Sequence, residues 1–76
     1  FIMANEGRIK SISNEINRNN VEIARKSEEI TRIQSNAYRA NRDVNNSERN
    51  SIANAQNRIA YLQKRNAQLM AEFGRL

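Results

Sequence analysis

The side chains able to do chemistry in this chain are arginines and carboxylates, and their spacing is regular. Arg18, Arg25, Arg32 and Arg39 recur every seven residues. Guanidinium groups repeated along one helix face suit bidentate contacts with phosphate oxygens, so these four are the candidate phosphate contacts. Glu15, Glu22 and Glu29 recur at the same interval, each three residues ahead of an arginine. On an exposed helix, pairs at i,i+3 and i,i+4 contribute about 0.2–0.5 kcal/mol each. The rows therefore predict a solvated, self-paired face, with binding of an RNA or DNA backbone as the alternative.

Catalysis has little to work with. The chain contains neither His nor Cys, so the common general bases, nucleophiles and zinc ligands are missing. The carboxylates are spaced as surface ladders, and the adjacent Glu28 and Glu29 point to different parts of a helix surface. No Gly-rich phosphate loop, dinucleotide fingerprint or calcium loop occurs. Tyr38 and Tyr61 have no basic neighbour poised to activate them. The reading is of a protein that is no enzyme and has no cofactor, metal or small-molecule substrate.

Charge favours anionic partners without specifying one. The formal net charge is +5, from 13 Lys+Arg against 8 Asp+Glu, and the isoelectric point is near 10.5. Yet no dense basic run appears, the charges are interleaved throughout, and the aromatics are only Phe1, Tyr38, Tyr61 and Phe73. A zipper-type DNA-binding protein would segregate its basic region from its heptads. No stretch approaches the roughly 20 apolar residues of a membrane span. Phe1-Ile2-Met3-Ala4 is too short for a signal-peptide core. The missing initial Met suggests a fragment or a processed product.

The elements that position these side chains follow from a second repeat. Ile2, Ile9, Ile16, Ile23, Ile30, Ala37 and Val44 are each seven residues apart. Taking them as heptad a, the d positions are Asn5, Ile12, Asn19, Lys26, Ile33, Ala40 and Ser47. A stripe of this period faces a partner helix and imposes a left-handed supercoil. Ile52, Ala55, Ile59, Leu62, Asn66, Leu69, Phe73 and Leu76 continue as alternating a and d, but Val44 to Ile52 is one residue too long. Proline is absent, and the only glycines are Gly7 and Gly74. The expected fold is thus all-α: one coiled-coil segment over 1–76, with sub-segments 2–44 and 48–76 in different registers.

Two architectures accommodate the break. The leading expectation is one continuous helix, about 110 Å long at 1.5 Å per residue, that absorbs the extra residue as a local change of supercoil. The alternative is an antiparallel αα-hairpin turning at 45–47, with Asn45 in the left-handed C′ conformation and Ser47 capping the next helix. The unequal arms, of about 44 and 29 residues, and the missing turn glycine argue against the hairpin. The Asn pair at 45–46 argues for it.

The candidate seam is Ile9, Ile12, Ile16, Ile23, Ile30, Ile33, Ile52, Ile59, Leu62 and Leu69. Asn19 and Asn66 interrupt it and are candidate register determinants, since a buried Asn costs stability but fixes pairing. Asn66 at a leans towards a parallel dimer, and Asn19 at d towards a wider, trimeric seam. The expected partners are other helices, as a homodimer, a homotrimer or a larger assembly. The Asn- and Arg-rich, proline-free texture is similar in composition to helical stalks of phage virions and helical spacers of bacteriocins. That similarity implies a structural role in a virion or a secreted rod. The expected function is therefore a structural oligomerisation or spacer segment.

Overall fold

A computed structural model describes the backbone of residues 2–76 and the side chains of residues 5–76. Two helices account for most of the chain: α1 (Ile2–Arg39) and α2 (Asn46–Arg75). They pack against each other as an antiparallel hairpin, 61 × 15 × 14 Å overall. The continuous rod is therefore replaced by the second of the two expected architectures. Phe1 and the side chain of Ile2, the first a residue, lie outside the described residues.

The turn begins earlier than residues 45–47, after Arg39, and shares only Asn45 with them. Helix α1 stops at Arg39 although its a-position repeat runs on in sequence to Val44. The backbone N–H of Asn41 donates to the Tyr38 carbonyl at 3.0 Å, and that of Arg42 to the Ala37 carbonyl at 3.1 Å. This is the Schellman arrangement, which needs a left-handed residue at C′. Asn41 supplies it, with φ of 53°. Asn tolerates this region better than other non-Gly residues because its short amide bonds locally, so no glycine is required.

Asn45, expected in the left-handed conformation, is extended and caps α2 instead, displacing Ser47 from that role. Its side-chain oxygen accepts from the Glu48 N–H at 2.8 Å, and its own N–H donates to Glu48 Oε1 at 2.9 Å. That reciprocal capping box satisfies two donors that a helix start would leave unpaired.

The core is thin, as a two-helix fold must be. Among the described residues, Ile12, Ala37, Ala55, Leu62 and Leu69 are the buried apolar ones. Ile9, Ile16, Ile23, Ile30, Ile33, Ile52 and Ile59 are only half-buried. In α2 the split follows the heptad. The d residues Ala55, Leu62 and Leu69 are covered, and the a residues Ile52, Ile59 and Asn66 are partly open.

Candidate interaction surface

Three cross-helix ion pairs hold the two arms in register. Arg8 bonds Glu72, Glu15 bonds Arg65, and Glu22 bonds Arg58. Each is bidentate. Arg65 Nε donates to Glu15 Oε2 at 2.7 Å, and Arg58 Nε to Glu22 Oε2 at 2.6 Å. The partners climb α1 by seven residues while descending α2 by seven, which is the antiparallel g-to-g′ relation. Arg58 also lies over the Tyr61 ring, with Cζ 5.2 Å from its centroid, close enough for cation–π attraction.

These pairs account for two features. Glu15 and Glu22 turn across to α2, so the expected i,i+3 and i,i+4 ladder with Arg18 does not form. Among the described residues, Lys26–Glu29 at 3.7 Å is the one ion pair within a helix. The g row also flanks the d row, whose α2 members Ala55, Leu62 and Leu69 are buried. The e row beside the a positions is exposed and, between Glu6 and Arg49 at its two ends, uncharged: Ser13, Asn20, Ser27 and Gln34 on α1, and Gln56, Gln63 and Met70 on α2. It leaves the a-position isoleucines partly open.

Each cross-helix carboxyl is held below its ordinary pKa of 4.5, chiefly by the hydrogen bond from its arginine. Glu48 is pushed furthest, to about 2, because it bonds Arg42 as well as the Asn45 backbone. Arg42 Nη1 donates to Glu48 Oε1 at 2.7 Å and Nη2 to Oε2 at 3.1 Å. Arg42 is the C″ residue of α1 and Glu48 the N3 residue of α2. One ion pair therefore ties both helix caps together.

The two asparagines singled out in the sequence meet within the chain. Asn19 Nδ2 donates to Asn66 Oδ1 at 2.9 Å, and Asn66 Nδ2 donates to Asn20 Oδ1 at 3.0 Å. The amides of two facing helices thus satisfy each other as a small network. No buried side-chain polar atom lacks a partner among the described residues.

Of the other candidate residues, Ile12, Leu62 and Leu69 are enclosed between the helices. Ile9, Ile16, Ile23, Ile30, Ile33, Ile52 and Ile59 line the seam with one edge towards solvent. Arg18, Arg25, Arg32 and Arg39 are exposed along one side of α1, and none has a carboxylate within ion-pairing distance among the described residues. A shallow groove runs between Asn17, Arg18, Val21, Glu22 and Arg25. No group of three or more acidic, His or Cys side chains that could hold a metal is found among the described residues, and no described helix is long and apolar enough to cross a membrane.

Arg8, Arg42, Glu48, Arg58, Arg65, Glu72 and Asn20 join these contacts without standing out as site residues in the sequence. One signal would have found the ladder. The charges Arg8, Glu15 and Glu22 read upward are the complements of Glu72, Arg65 and Arg58 read downward. That match holds only for antiparallel arms. Comparison with protein-family models, with curated proteins and with solved structures finds no match for the chain.

Proposed function

We propose that the chain is a structural association element: a helical hairpin that presents an open apolar seam to further helices. The observation that carries this reading is the row of a-position isoleucines, Ile9, Ile16, Ile23, Ile30, Ile52 and Ile59, each half-buried against the opposite arm. Burial of apolar area stabilises by about 25 cal/mol per Å², so every one of them gains by contact with another helix. The exposed face of the hairpin alone forgoes that gain. A concentration series of thermal melts tests the reading. If association supplies stability, Tm rises with protein concentration, and Ile23→Asp or Ile59→Asp abolishes the rise. A high Tm independent of concentration would contradict it.

One observation favours a second reading, of a backbone-binding track for nucleic acid. Arg18, Arg25, Arg32 and Arg39 carry unneutralised charge on one helix side, and counterion release from phosphates would favour contact there. A gel shift at two salt concentrations with Arg25→Glu/Arg32→Glu separates the readings. The structural role predicts little change in any binding, and the phosphate track predicts its loss.

A further inference from the structure

We infer that the partner for the open seam is a second copy of this chain, docked antiparallel through the e-row face. This rests on the association role proposed above and specifies its partner. The two long faces of the hairpin differ in chemistry. One carries the g-row ion pairs flanked by Arg18, Arg25, Arg32 and Arg39. The other carries the half-open isoleucines bordered by Ser13, Asn20, Ser27, Gln56 and Gln63, all uncharged and exposed. A charged partner surface would lose hydration there with nothing to pair against, whereas a second uncharged face would not.

The exposed area leaves room for a partner, and the charge pattern points to self-pairing. A globular protein of 8.8 kDa is expected to expose about 4,800 Å², and this hairpin exposes 5821 Å². The excess of roughly 1,000 Å² is comparable to the about 800 Å² that each partner buries in a standard interface. The ionic residues of the e row are Glu6 near the open end and Arg49 near the turn. An antiparallel two-fold arrangement brings Glu6 of one copy towards Arg49 of the other. A parallel arrangement sets like charge against like. Docked this way, both arginine faces point outward, so the +5 of each copy is kept apart.

Sedimentation equilibrium of the full chain tests this. The expected species has twice the 8.8 kDa chain mass. Ser27→Arg/Gln63→Arg places charge on residues that are exposed in the single hairpin, so helicity by circular dichroism stays at the wild-type level while the mass falls to that of one chain. Arg25→Glu/Arg32→Glu on the opposite face leaves the dimer intact. Glu6→Arg or Arg49→Glu alone weakens the dimer several-fold, and the two together restore it. A chain monomeric at every concentration overturns self-association. An oligomer that survives Ser27→Arg/Gln63→Arg and dissociates on changing the arginine face overturns the docking face, yet leaves helix association itself standing. Failure of the double charge swap to rescue overturns the antiparallel arrangement.

Discussion

At the residue scale, the turn depends on two asparagines doing work usually given to glycine and serine. Asn41 has φ of 53°, a region that costs a β-branched residue about 1–2 kcal/mol. Asn41→Val should therefore lower stability by about that amount, while Asn41→Gly should be tolerated; urea melts at fixed protein concentration measure both. Asn45→Ala removes the cap that receives the Glu48 N–H and should cost about 1 kcal/mol. The kinds of role were legible in the sequence, but not the residues that take them. The absence of Gly and Pro from the middle of the chain reads as uninterrupted helix, and where a turn is considered, Asn45 and Ser47 are expected in the roles that Asn41 and Asn45 fill. The Asn45-Asn46-Ser47 cluster did mark the neighbourhood of the turn, but it marks the start of α2; the end of α1 lies at Arg39.

At the element scale, the arms are joined by a few enclosed d residues and by carboxylates held ionised. Leu62 is 2% exposed, and Leu62→Ala should destabilise the hairpin by about 2–4 kcal/mol, towards the lower side of the range for core truncations because a two-helix seam relaxes easily. Glu15, Glu22, Glu48 and Glu72 all have folded pKa values below the ordinary 4.5. A carboxyl depressed by folding contributes stability that is present above its unfolded pKa and lost as pH falls through the folded one. Stability should be flat near neutrality, decline below about pH 4.5, and keep declining towards pH 2, where Glu48 protonates. In Glu48→Gln the lowest part of that decline should be absent; thermal melts across this acid range check it. The heptads themselves were readable, because a seven-residue recurrence of Ile constrains which face is buried. Their direction was not. A run of a and d positions has the same appearance whether the facing helix is parallel or antiparallel. The information lay instead in the order of the g-row charges.

At the scale of the whole molecule, a hairpin turns one chain into its own first partner. Residues expected to meet another chain, Asn19 and Asn66, meet each other. What the seam keeps open is an edge of isoleucines on the uncharged side, and the proposed association follows from it. The all-α class and the seven-residue rows followed from the sequence, because both are local periodicities. The ion-pair ladder and the Arg42–Glu48 pair between the helix caps did not, because they join residues 6 to 64 positions apart and exist only after the chain has turned back. The ladder contacts require residue 10 to lie opposite residue 70, as the Arg8–Glu72 pair implies. The most direct measurement is the distance between spin labels at Lys10 and Met70, both exposed, with labelled chains diluted in unlabelled ones so that only distances within a chain are read. The hairpin predicts a short distance, from a helix-axis separation of about 10 Å plus the label arms. A span of about 90 Å, the length of 60 residues of unbroken helix, would contradict it.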